Sequence, residues 1–354
     1  GAVLLLVPDT DTAAALLEQA LLIARNRTDA ALEAVVTDRL ASLEQLKGNT
    51  EAAGRHYTRA MTLAERLKDS ALQARIASNA GQLNLRSGKP AKADTWLARA
   101  RPAADKTPDT HDKAYLLIRI ARLQQQTAEL LPARRAILIR ATYEGLQRAE
   151  QVAARIGDER AQSWALGYLG ELYESQGRVA DARQLTRQAI YALQGLHAPE
   201  LLFRWQWQQG RLLKAEGNTG KAIDAYRGAI RTLHGVRAEL AASLERSRES
   251  YHRLVGPLYL EYADLLLQAG ETAADPDEVQ RRLVEARDAV ELLKTVELQD
   301  YFQDDCVAVA RSRIQGLEEA LSANTAVIYP ILFPDRTDLL VSTRDGLSRH
   351  TVPV

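Results

Sequence analysis

The residues in this chain whose types could do chemistry are one cysteine, six histidines and one acidic pair, and their spacing assembles none of them into a site. Cys306 falls in a predicted helix beside Asp304 and Asp305. Neighbouring carboxylates raise a thiol pKa, the opposite of what a nucleophile needs, so a buried structural thiol is expected. Adjacent residues on a helix point about 100° apart, so Asp304 and Asp305 converge poorly on a metal or a proton and read as a solvated face. His56, His111, His197, His234, His252 and His350 contain no i, i+4 pair and no HExxH spacing, which leaves no metal motif. A P-loop, a GxGxxG turn and a GxSxG elbow are also lacking. Neither catalysis nor a cofactor is expected.

What remains is recognition chemistry. The chain carries 46 basic and 46 acidic side chains, for a net charge of zero, so no bulk electrostatic pull toward nucleic acid or an anionic membrane exists. The run from Arg237 to Arg253 could track phosphates, but Glu239, Glu245 and Glu249 interleave at spacings that favour pairs within the helix. No apolar stretch reaches the roughly 18 residues that span a bilayer. Gly1–Val7 lacks the flank of a signal peptide, and a cytoplasmic location is the expectation. A protein or peptide partner is therefore the class to consider, with no nucleic acid and no membrane.

The elements that would position such a site are helical. Trp164–Leu193 reads as two amphipathic helices hinged at Gly177, with small residues Gly170, Ala182 and Ala189 where the helices must touch. The pattern Ala-x3-(large apolar)-x2-Ala recurs at Ala13, Leu17, Ala20; at Ala53, Tyr57, Ala60; at Ala93, Leu97, Ala100; and at Ala222, Tyr226, Ala229. Steps from Ala13 to Ala53 to Ala93, and from Ala182 to Ala222, are each 40 residues, and Gly48 to Gly88 and Gly177 to Gly217 repeat that step. One hairpin cannot bury its apolar face alone, so the pattern implies a stack. The spacing Leu166, Leu169, Gly170, Tyr173, Ala182, Ala189 resembles the tetratricopeptide repeat (TPR), with Leu for the leading Trp and helices longer than the usual period of about 34 allows. The fold class expected is all-α, a right-handed superhelix of about six TPR-like hairpins with a small C-terminal β fragment.

Read in order, residues 10–26 form a helix. Residues 30–47 with 50–68, and 70–87 with 89–104, form two hairpins, and Pro102, Pro108 and TPDTHD mark a break. Residues 112–127 restart the array. Gly88 to Gly177 is 89 residues, nine more than two steps; the excess is placed at Thr127–Ile139, before a helix from about Arg140 to Ile156. Residues 200–216 pair with a long helix from 218 to about 250, and 256–269 with 277 to about 321. The only methionine is Met61, so the sequence reads as a piece of a longer chain, with a helix expected ahead of Ala13.

In TPR proteins the first helix of each hairpin lines a groove. Counting back from the hinge glycines, that resemblance places Asp38, Gln45, Arg75, Gln82, Arg86, Tyr115, Arg122, Gln125, Trp164, Glu171, Arg204, Trp207, Arg211 and Lys214 outward. The candidate peptide-binding set is Arg75, Arg86, Tyr115, Arg122, Trp164, Arg204, Trp207, Arg211 and Lys214. Arg, Trp and Tyr dominate interface hot spots, and the basic excess points to an acidic or amphipathic ligand. The same residues would equally serve as solvated or packing positions between hairpins. The carboxylate clamp of chaperone-binding TPRs is not met, since Asp38 and Ser42 stand where Lys and Asn are needed, and Asn79 and Arg119 do not restore it.

After Asn324 the residues turn β-rich: 326–333, 338–343 and 347–354 read as a hairpin and part of a third strand. With ELLKTVELQDYFQDDCV at 291–307, this stretch resembles the junction in bacterial CHAT proteins, where a TPR array precedes a caspase-like cysteine peptidase. The resemblance implies a boundary at 324/325 and a sensing or substrate-recruiting role for the array. It also implies that the family's catalytic His and Cys lie deeper in the α/β domain than the residues matched, so neither Cys306 nor His350 takes that role. A free-standing TPR scaffold or regulator is the alternative.

Overall fold

A computed structural model describes residues 10–247, 251–302 and 325–353. Among them, α1 (Thr10–Asn26) precedes six helical hairpins. These are α2 (Ala30–Leu46) with α3 (Thr50–Arg66), α4 (Ser70–Arg86) with α5 (Pro90–Asp105), and α6 (His111–Leu130) with α7 (Arg135–Ile156). They continue as α8 (Glu159–Glu174) with α9 (Val179–Tyr191), α10 (Pro199–Ala215) with α11 (Thr219–Ser247), and α12 (Tyr251–Glu271) with α13 (Pro276–Phe302). Three strands follow, β1 (Val327–Leu332), β2 (Arg336–Thr343) and β3 (Gly346–Pro353). The fold is all-α TPR-like hairpins with a small antiparallel sheet. The chain divides into two compact units, one up to His197 and one from Ala198.

The repeat signature is the contact between the two helices of each hairpin. Ala53, Ala60, Ala93, Ala100, Ala182, Ala189, Ala222 and Ala229 are all completely buried, as are Tyr57, Leu97 and Tyr226 between them. The facing helix must be small at the same level. A Cβ added at Gly81 would lie 2.8 Å from the Leu97 side chain, and one at Gly210 would lie 2.7 Å from the Tyr226 ring.

Turns and caps repeat with the helices. Gly177 takes φ +71°, a left-handed conformation that costs a glycine nothing, and Gly48, Gly88 and Gly217 do the same. Between hairpins the left-handed position falls to Thr28, Lys68 and Gly157. Each is followed by an aspartate that caps the next helix: Asp29, Asp69 and Asp158 accept from the amides of Leu32, Leu72 and Ala161 at 2.9 Å.

Two sequence expectations change. Pro102 takes no part in the break: α5 runs past it to Asp105, one residue beyond the expected end. The break comes after it, where buried Lys113 donates to the carbonyls of Asp105 at 3.2 Å and Thr107 at 2.6 Å. The excess placed at Thr127–Ile139 is mostly helical: α6 continues to Leu130, a single 3-10 turn spans Pro132–Arg134, and α7 starts at Arg135 rather than Arg140. Cys306, Asp304, Asp305 and the helix expected to reach 321 lie outside the described residues.

In the second unit the sheet is a meander, β1-β2-β3, with Tyr329 opposite Leu340 and Ser342 opposite Leu347. Alternation drives Tyr329, Ile331, Leu340 and Leu347 into one core with Leu266, Leu283 and Val290 of α12 and α13. Gln280 on α13 clasps the edge of β3, donating to the Leu347 carbonyl at 2.8 Å and accepting from its amide at 3.2 Å.

Candidate protein-interaction faces

The helices that open successive hairpins in the first unit touch one another, α2 to α4, α4 to α6 and α6 to α8. Along α4, Arg75, Asn79, Gln82 and Arg86 recur at helical spacing, so they share a face. Tyr115, Arg119 and Arg122 do so on α6, and Trp164, Tyr168 and Glu171 on α8. Polar bonds join this row one repeat apart. Asp38 on α2 accepts from Arg75 Nε at 3.2 Å and from Asn79 Nδ2 at 3.1 Å. Gln82 accepts from Arg119 Nη2 at 2.8 Å, and Arg122 Nη1 reaches Glu171 Oε1 at 2.6 Å.

Asp38 is fully buried and Gln125 nearly so, which corrects their placement as outward positions. Arg75 and Asn79 of the next hairpin cover Asp38, a contact that a single-helix face count does not contain. Arg119, left out of the candidate set, belongs to the row. Burial pulls its pKa down, Tyr57 and Asp38 work against that, and Arg86 adds to it, placing Arg86 nearby. Burial pushes the Tyr57 hydroxyl up to about 12, against a hydrogen bond with Ser42.

The other candidates of this unit are aromatic or stack on aromatics. The Arg122 guanidinium lies 4.1 Å from the Tyr168 ring centre, and Tyr168 stacks on Trp164 at 5.0 Å. Tyr115 packs beside His111 at 4.5 Å. Tyr168 was missed from sequence, although its position four residues after Trp164 on the same face was the signal for it.

In the second unit, Trp207, Arg211 and Lys214 share a face of α10. Trp207 Nε1 donates to Glu261 at 2.7 Å, the Arg211 guanidinium lies 5.1 Å from the Trp207 ring centre, and Lys214 Nζ sits 2.9 Å from Asp264. Arg204, a turn earlier, is half-buried. From Asp264 a chain of charges enters the sheet. Arg336 Nη2 donates to Asp264 at 2.6 Å and its Nε to Asp338 at 3.0 Å. Arg349 Nη2 donates to Asp338 at 2.8 Å, and its Nη1 pairs with Glu271 at 2.6 Å. Thr351 closes the ring with a 2.6 Å bond to Asp338, which is fully buried. Burial would raise the Asp264 and Asp338 pKa values; hydrogen bonds from Arg336 and Lys214 on the first, and from Arg349 and Thr351 on the second, outweigh it and hold both low. Glu285 is held low against burial in the same way, by a two-pronged bond from Arg227 at 2.9 and 3.2 Å and by Tyr262.

Among the described residues no three or more His, Cys, Asp or Glu side chains gather as a metal site, and no helix is long and apolar enough to cross a membrane. His350 is exposed on β3, with Ser348 Oγ 3.5 Å away.

These features define a tetratricopeptide-type array. Residues 32–106 match the tetratricopeptide repeat family. The crystal structure of BtubC from P. vanneervenii is similar at 22% identity and a TM-score of 0.53, over 66% of this chain and 92% of that one. The apo form of RapI aligns at 11% identity and a TM-score of 0.49, over 80% of each chain. A STAND protein with a tetratricopeptide repeat sensor, PH0952 from Pyrococcus horikoshii, aligns at 12% identity and a TM-score of 0.48, over 88% of this chain and 50% of that one. A search of curated proteins finds no match to the sequence. The chain thus contains a TPR region, and repeats of this class are generally non-catalytic protein-interaction scaffolds.

Proposed function

We propose that the chain is a protein-recognition arm whose hairpin-opening helices take an acidic or amphipathic peptide. The observation that carries this reading is the row on α4, α6 and α8. Arg75, Arg86, Arg119 and Arg122 stand there with Tyr115, Tyr168 and Trp164, and the carboxylates that meet them, Glu171 on α8 and Asp38 on α2, are each already paired with an arginine. Arginine beside aromatic rings binds carboxylates and apolar side chains together. Panning random displayed peptides on the purified chain tests it: enriched sequences should be rich in Asp and Glu, and Arg86→Glu should abolish the enrichment. Selection without acidic bias would defeat the reading.

The finer proposal is that this arm serves a CHAT-type cysteine peptidase, with a second domain starting at 325. Its support is the wording of residues 291–307 and 325–354, together with the apolar outer face of the sheet, where Ile328 is 58%, Leu332 74% and Val352 51% exposed. Lys214, Asp264, Arg336 and Asp338 form a route for coupling. A ligand carboxylate that takes Lys214 competes with Asp264, the residue that holds Arg336 on the sheet. Comparing peptidase activity of the full-length parent with and without its partner tests the coupling; no parent activity under either condition would remove the peptidase reading.

A further inference from the structure

The third hairpin departs from the 40-residue step, and a cleft opens where it does. Thr142, Leu146 and Ala149 on α7 repeat the second-helix signature, 49 residues after Ala93 and 40 before Ala182, and all three are buried. Counted from that signature, α3, α5, α9 and α11 each start three residues earlier, whereas α7 starts seven earlier. The start of α7, from Ala136 to Tyr143, faces the end of α8 and the turn into α9 across a cleft of about 400 Å³, a size typical of small-ligand sites.

The lining has a definite character. Ile139 supplies apolar surface over the buried Leu172, Tyr143 and Tyr173 meet edge to face at 6.1 Å, and Arg140, Arg178, Ala136 and Gln176 complete the lining. No carboxylate lines the cleft. The Arg178 guanidinium stands 4.1 Å from the Tyr173 ring centre. Arg140 pairs with Glu144 at 3.0 Å, an acid that Arg101 also holds at 2.7 Å, and Arg178 pairs with Asp181 at 2.7 Å and hydrogen-bonds Tyr173; the two arginine side chains are 82% and 51% exposed. Exposed pairs of this kind are held weakly in water, so a ligand carboxylate can replace either acid. Burial and a hydrogen bond with Tyr173 raise the Tyr143 pKa, which keeps its phenol neutral.

We propose that this cleft binds a group joining an aromatic ring to a carboxylate, the chemistry shared by a free aromatic acid and the aromatic C-terminal residue of a peptide. The ring packs against Tyr143 and Tyr173 over Ile139, where edge-to-face contact is favoured. The carboxylate takes the forked donors of Arg140 and Arg178. The site uses no residue of the α4, α6 and α8 row, so it stands or falls independently of the proposed peptide face.

The test is calorimetric titration of the whole chain with N-acetylphenylalanine, its amide, and an acetylated tetrapeptide Ala-Ala-Ala-Phe with a free C-terminus. The acid should bind saturably and the amide about tenfold more weakly or worse, the loss of a charge-assisted bond. Arg140→Gln with Arg178→Gln should weaken the acid by a similar factor without changing the circular dichroism spectrum, and Arg86→Glu should leave it unchanged. Tetrapeptide binding tenfold tighter than the acid assigns the site to a peptide end; equal affinity assigns it to a free acid. Equal binding of acid and amide, indifference to the double variant, or no saturation by any of the three at millimolar concentration overturns the proposal.

Discussion

Replacing Asp338 with alanine removes a fully buried carboxylate that joins three partners from β2 and β3. Breaking a buried pair from one side costs about 3–5 kcal/mol, because the stranded charge stays out of water. Two features pull the figure to the low end of that range. Arg336 retains Asp264 at 2.6 Å, and Arg349 retains Glu271 at 2.6 Å. Thr351 loses its acceptor, worth about 1 kcal/mol. The expected loss is about 3 kcal/mol, or roughly a hundredfold in the opening equilibrium of the sheet. Hydrogen exchange read by mass spectrometry should show that loss in peptides covering residues 327–353, while α4 in the first unit keeps its protection. Asp338→Asn, which leaves an acceptor for Thr351, should lose about half as much. Unchanged protection in the sheet would refute the view that this charge cluster holds it on α12, and an equal loss in α4 would show that the effect is not local.

Two further outcomes are expected from the same packing. Gly54→Ala should stabilise the chain by up to about 1 kcal/mol, since alanine is the better helix former and a Cβ there meets nothing within 4 Å. The mirror change Gly81→Ala should destabilise by about 1–3 kcal/mol through overpacking against Leu97; urea unfolding midpoints distinguish the two. Acid should loosen the second unit, because Asp264, Asp338 and Glu285 have pKa values held below their ordinary ones. Depressed carboxylates contribute fully above their unfolded values of about 4 and lose that contribution as pH falls through the folded values. Melting temperature should therefore drop as pH goes below about 4, with a shallower slope in Asp338→Asn; an identical slope would exclude Asp338 as a source.

Much of the fold was legible because the repeat is written in local chemistry. An alanine that must lie against another helix allows almost nothing larger, and a left-handed turn favours glycine. A 40-residue recurrence of both was therefore enough to place four of the six hairpins, the last being placed by its apolar helices alone. The third was harder, because Thr142 stands in its signature where the others have alanine and no glycine marks its hinge. The sequence therefore locates the excess only to Thr127–Ile139. The row on α4, α6 and α8 was half legible: helical spacing puts Arg119 on the face of Tyr115 and Tyr168 on the face of Trp164, but that Arg119 meets Gln82 and Arg122 meets Glu171 needed the neighbouring hairpins to be seen.

By itself, the sequence determined the hairpins, their turns and caps, and the presence of strands after Asn324, since each depends on residues within a turn or two of one another. Only the tertiary structure decided that Asp38 is buried, that Arg75, Arg122 and Lys214 each hold a carboxylate from a neighbouring hairpin, and that the sheet is fastened to α12 and α13 through Asp264, Asp338 and Gln280. Those contacts join residues 37 to 72 positions apart. Which side chains meet over such distances depends on how one hairpin is rotated on the next, and that rotation is set by the summed packing of many buried residues rather than by any local pattern.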